Sequence, residues 1–127
     1  MNFEPNQPAS PSFVTLASGL RLEYLEQGQA DGIPVVFLHG VTDSCRSFEP
    51  VLSHLTPKIR AIAISQRGHG DSGRPDTGYR YRDLSEDLLA FLDALAIPCA
   101  VVAGHSMGSL VAQRFAICWR SNSGSLS

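Results

Sequence analysis

Apolar and polar residues alternate along this chain with two different periods, and the change between them marks out its elements. Phe13 to Leu16, a Ser18-Gly19 turn and Leu20 to Gln27 read as a hairpin of two alternating strands. A polar loop from Gly28 to Pro34 leads into Val35-Val36-Phe37-Leu38, a short, wholly apolar run typical of a strand covered on both faces. Ser47 to Leu55 suits a helix, with Ser47 at its cap and Glu49 and Pro50 in its first turn. Ile59 to Ile64 is the next strand. In Asp83 to Ala96 the period lengthens: Leu84, Leu88, Phe91, Leu92 and Leu95 share one helical face. Asp83 with Glu86 resembles a capping box, while Asp87 and Asp93 lie off the stripe and are expected as solvated charges. Ile97-Pro98 ends that helix. Ala100 to Ala103 reads as a buried strand, and a helical run follows from Leu110 through Ile117.

Strands alternating with helices predict an α/β fold: a three-layer sandwich around a mostly parallel sheet, entered through an antiparallel hairpin. The chain of 127 residues fits one domain, and 43% hydrophobic with 17% charged residues is ordinary globular composition. A net charge of −2 offers no basic surplus for nucleic acid, and no apolar run reaches the length of a membrane span. Met1 to Ser12 is polar and Pro-rich, without the basic and apolar regions of a secretory signal, and is expected to be a disordered lead-in. Cys45, Cys99 and Cys118 have neither C-x-x-C nor zinc spacing, which suggests free thiols in a reducing cytoplasm and no metal site.

The chemistry concentrates where the last strand meets the last helix. Gly104-His105-Ser106-Met107-Gly108 spells G-x-S-x-G between an apolar strand and a helical run, the context of a nucleophile elbow. Such a turn would lift the Ser106 hydroxyl clear of the sheet. Gly104 and Gly108 would let strand and helix approach closely, and the Met107 N–H would point at an anion formed on attack. The alternative is a Gly-rich turn whose serine merely caps a helix.

A second strand end has its own signature. Val35 to Leu38 runs into His39-Gly40-Val41, which resembles the oxyanion-hole loop of the α/β-hydrolase family. The resemblance implies that the backbone N–H groups of Val41 and Met107 hold an oxyanion. It leaves His39 either to order the loop by hydrogen bonding or to act as a base, with the first reading preferred. Gln66-Arg67-Gly68-His69-Gly70-Asp71-Ser72-Gly73 resembles the R-G-x-G-x-S turn of the same family, and Arg67 and Asp71 are expected to pair locally. Its letters also spell the dinucleotide fingerprint G-x-G-x-x-G. That motif needs a helix opening at its last glycine, and Arg74-Pro75-Asp76-Thr77-Gly78 is loop chemistry instead.

The resemblance covers residues 13–117, the N-terminal part of such a domain, and implies hydrolysis of an ester or similar acyl bond through an acyl-serine. Serine at the elbow argues against the dehalogenase and epoxide-hydrolase branches, whose nucleophile is a carboxylate; carboxylesterase, lactonase, C–C bond hydrolase and perhydrolase branches stay open. In this family the triad runs Ser, acid, His, yet no Asp, Glu or His follows Ser106. His39, His54, His69 and His105 all precede it, and the elbow should turn His105 away from the hydroxyl. Losing a triad base costs about 10⁶ in turnover, so the expectation is a truncated chain of poor activity. Residues 118–127 form a polar tail unlike the family, and Ala100 to Ala103 would present an apolar sheet edge open to self-association. The expected partner is a small ester or acyl substrate, with no organic cofactor, nucleic acid or membrane. The alternative is a non-catalytic binding or regulatory fragment that pairs through that edge.

Overall fold

The structure, a computed structural model, describes the backbone of residues 10–123 and the side chains of residues 10–115. β1 (Ser12–Thr15) and β2 (Arg21–Gln27) form the antiparallel hairpin, with Ser12 opposite Tyr24 and Thr15 opposite Arg21. Gly19, at φ 94°, makes the turn between them with its N–H on the Leu16 carbonyl at 2.8 Å. β3 (Ile33–Leu38), β4 (Ile59–Ile64) and β5 (Val101–Gly104) complete a five-stranded sheet in the order β1-β2-β4-β3-β5. β2 pairs antiparallel with β4, whereas β3 lies parallel to both β4 and β5. The wholly apolar run of β3 and the mostly apolar β4, with Arg60 as its one charge, thus occupy the interior of the sheet.

Period-two alternation sends the two sides of these strands into two cores. Leu22, Val36, Leu38, Ile62 and Ile64 face α2 (Tyr81–Ala94) and α3 (Met107–Ser123), meeting Leu84, Leu88, Phe91, Val111 and Phe115. The Tyr24 ring stands edge-on to Phe91, with centroids 5.1 Å apart. On the opposite side Leu25, Ala61 and Ala63 pack under Cys45 and Leu52. Two helices, a sheet and a short helical segment make the three layers expected from the sequence.

Three details differ from the sequence-based expectation. The segment read as one helix over 47–55 is a 3-10 turn, Cys45–Phe48, followed by α1 (Glu49–Leu52). Ser44 rather than Ser47 caps it, accepting the Arg46 N–H at 3.2 Å, and tight i→i+3 bonds at His54 and Leu55 take over after Leu52. α2 begins at Tyr81; Asp83 sits at its third position and accepts the Arg80 N–H at 3.0 Å. Its far end closes in a Schellman arrangement, with Ala96 at φ 56° and the Ile97 N–H on Leu92 O at 2.8 Å.

The third concerns Asp87, expected in solvent and found 8% exposed. The turn of residues 66–80 folds back over α2 and lays Arg67 on it. The guanidinium donates from Nε and Nη2 to Asp87 at 2.6 and 2.8 Å and from Nη1 to Gly78 O at 2.6 Å. Arg67 therefore pairs with Asp87 and not with Asp71, and the carboxylate holds its pKa above the ordinary value. Asp93 is exposed as expected. Ser12, read as the end of the lead-in, is the first residue of β1, and α3 continues as helix to Ser123, through part of the stretch read as a polar tail; residues 1–9 and 124–127, on which most of the lead-in and the rest of that tail fall, lie outside the described residues.

Candidate active site

β3 and β5 end side by side, and their ladder decides where Ser106 goes. Leu38 pairs with Gly104, and the His105 N–H extends the pairing to the Leu38 carbonyl at 3.0 Å. The chain then reverses within one residue. Ser106 adopts φ 55°, a left-handed conformation uncommon outside glycine, and α3 starts at Met107. Two glycines permit the reversal. A side chain on Gly104 would collide with the Gly108 and Ser109 backbone, and one on Gly108 would collide with the Leu38 and His39 carbonyls. The helix N-terminus is therefore pressed against the ends of two strands, with the serine exposed at the bend.

The loop leaving β3 meets the bend directly. A Cβ on Gly40 would stand 3.3 Å from both His105 Nδ1 and Ser106 Cβ. Thr42, at φ 69°, turns the loop, and the Asp43 N–H closes on Gly40 O at 3.2 Å. Between these bonds the Val41 side chain is exposed, and Met107 is half-buried against the core. Among the described residues no hydrogen bond engages the N–H of Val41, the N–H of Met107 or the hydroxyl of Ser106. Two backbone donors and one exposed hydroxyl thus stand without a hydrogen bond among the described residues, where the loop meets the bend.

His39 lies completely buried, with Nδ1 2.8 Å from Gly40 O and Nε2 accepting the Gln66 N–H at 2.9 Å. Burial pushes its pKa below the ordinary value, and His69, tilted against it with ring centroids 4.8 Å apart, pushes the same way. The imidazole is held neutral and spans from the loop to the end of β4. His105 is exposed, and no hydrogen bond to Ser106 is formed by it among the described residues.

The sequence reading did not single out the residues beneath the loop. Gln66 grips His39 twice, its Nε2 donating to the His39 carbonyl at 3.0 Å as well. Glu23, on β2, and Ser65, just past β4, are buried beside Cys45 at the far end of the same loop. Alternation carried a usable signal, since Glu23 shares a strand face with Leu25 and so points inward. Among the described residues no group of three His, Cys, Asp or Glu side chains is placed to hold a metal ion.

Known proteins share this fold. The profile of one family, described as the alpha/beta hydrolase fold, matches residues 33–117. A 2-(acetamidomethylene)succinate hydrolase of Mesorhizobium japonicum is 37% identical over 90 residues, covering 71% of this chain and 32% of that protein. Epoxide hydrolase 2 of Caenorhabditis elegans is 33% identical over 110 residues, covering 85% of this chain and 29% of that protein. A crystal structure of E-2-(acetamidomethylene)succinate hydrolase superposes with a TM-score of 0.82 at 32% identity, over 87% of this chain and 40% of that one. The chain spans about a third of the length of the curated relatives it matches.

Proposed function

The chain belongs to the α/β-hydrolase fold family, and from that membership we propose that it carries the nucleophile and oxyanion donors of a serine hydrolase acting on an ester or similar acyl bond. The observation behind this reading is Ser106 itself, exposed at φ 55° between β5 and α3. Its Oγ attacks the acyl carbon, and the carbonyl electrons move onto oxygen. The N–H groups of Val41 and Met107 hold that oxyanion, which collapses to an acyl-serine as the leaving group departs; water then releases the acid. By resemblance the serine proton passes to a histidine later in the chain order, and residues 107–127 include none. A serine in place of a carboxylate favours acyl transfer over epoxide opening, although epoxide hydrolases stand among the relatives.

A fluorophosphonate tests the reading, because it reacts with an activated serine and reports the residue by mass. Labelling of Ser106 once a C-terminal half carrying the acid and the histidine is supplied, abolished in Ser106→Ala, is the expected result. A folded protein so completed that resists the reagent overturns the assignment.

A second reading rests on β5. It pairs with β3 alone among the described residues and lies at the sheet edge, with Val101 56% exposed. An edge of this kind accepts another strand, which would make the chain a binding fragment that associates with a second copy.

A further inference from the structure

We propose that Glu23 is a positioning residue for the oxyanion loop: its buried carboxylate orients Ser65, and Ser65 holds the loop by its Cys45 end. This builds on the reading of the Val41 N–H as an oxyanion donor. Glu23 is 3% exposed, and the ion pairs among the described residues all lie elsewhere. Its Oε1 is met instead by neutral donors: the Ser65 hydroxyl at 2.8 Å, the Asp71 N–H at 3.1 Å and the Cys45 thiol at 3.5 Å. Burial raises the carboxyl pKa, yet the Asp71, Ser65 and Cys45 donors together hold it below the ordinary value. Among the described residues no cation touches the group, although the nearby Arg46 charge also favours the anion, and a carboxylate is costly to bury unless its hydrogen bonds are put to use.

Those bonds converge on the loops around Ser106. Ser65 Oγ, with its own proton committed to Glu23, accepts the Cys45 N–H at 3.0 Å. The neighbouring Gln66 grips His39. The loop is therefore fastened at His39 and at Cys45, and the residues between them include Val41 and the left-handed Thr42. The same carboxylate fastens the turn after β4 through Asp71, while the Ser72 hydroxyl takes the Glu23 N–H at 2.8 Å. Gly70 lies so close that a side chain there would stand 2.5 Å from Glu23 Oε1 and 2.6 Å from Ser65 Oγ. A hydroxyl alone could satisfy the Cys45 N–H. A hydroxyl whose proton is drawn to an anion is a stronger and more directional acceptor.

The test compares Glu23→Gln, which keeps shape and removes charge, with Ser65→Ala, which keeps charge and removes the bridge. Amide exchange followed residue by residue reads the fastening, and the saturation constant and limiting rate of fluorophosphonate labelling read its consequence. In Glu23→Gln, exchange at Cys45 and Asp71 rises about tenfold while α2 and β3 keep their protection. Ser65→Ala frees Cys45 alike. The limiting labelling rate falls about tenfold in both variants with the saturation constant unchanged. Exchange that is unaltered at Cys45, or raised throughout the molecule, overturns the proposal. So does a smaller labelled fraction at an unchanged rate, the mark of partial unfolding. The labelling is read with a C-terminal half carrying the acid and histidine supplied; if the unaltered protein so completed resists the reagent, the serine-hydrolase reading fails on its own account, and the exchange measurement still decides for or against the fastening.

Discussion

An imidazole that accepts a backbone N–H deep in a protein has to be uncharged, and His39 carries that requirement into solution behaviour. Nε2 takes the Gln66 N–H, and burial lowers the pKa from the ordinary value near 6.5. The groups that face the ring are His69, which also disfavours the charged form, and Asp43, which favours it. A depressed pKa means the unfolded chain binds a proton that the folded chain refuses. The stability is whole above about pH 6.5 and is lost as pH falls toward the folded-state value, by at most about 1.4 kcal/mol per pH unit. Urea unfolding between pH 7.5 and 5 should show this slope, and His39→Gln should flatten it. Glu23 adds a loss of the same sign in a lower window, beneath about pH 4.5, as its own depressed pKa is crossed.

Among the elements, α2 shows what side-chain pattern tells and what it withholds. Its apolar stripe located the helix, and Leu84, Leu88, Phe91 and Leu92 are buried where the stripe put them. Asp87 lies at the edge of the stripe, and its burial depends on a loop that returns from another part of the chain. Nothing within one helical repeat encodes that return. Expressed as energy, Asp87→Asn leaves the Arg67 charge half-buried beside a neutral amide and should cost about 3 kcal/mol in chemical unfolding. Joining it with Arg67→Met should recover much of the loss; equal instability in the double variant would mean the pair matters only through packing. The elbow was legible for the opposite reason: its chemistry, its glycines and both flanking elements are contiguous from Val101 onward. The Glu23 support was harder to read, since its partners Ser65, Asp71 and Cys45 come from three separate segments joined only by strand pairing.

At the scale of the whole molecule, the sheet among the described residues ends in the hairpin strand β1 on one side and in β5 on the other. If β5 pairs with a second copy, light scattering should find a dimer that Val101→Lys disperses, because a charge on an edge strand opposes addition of another strand. A monomer at every accessible concentration removes the pairing of β5 with a second copy. Among the described residues no helix is long and apolar enough to cross a membrane.

The carbonyl of Leu38 sets a datum for everything around it. It receives the His105 N–H, it stands against Gly108, and the loop toward Val41 departs from the very next residue. Serine and both amides are surveyed from one peptide unit. For protein engineering, residues 33–45 and 99–110 are consequently to be transplanted together, along with Glu23, Ser65 and Gln66, which fasten the loop from outside them. A graft that parts the two stretches loses the reference from which the site is measured.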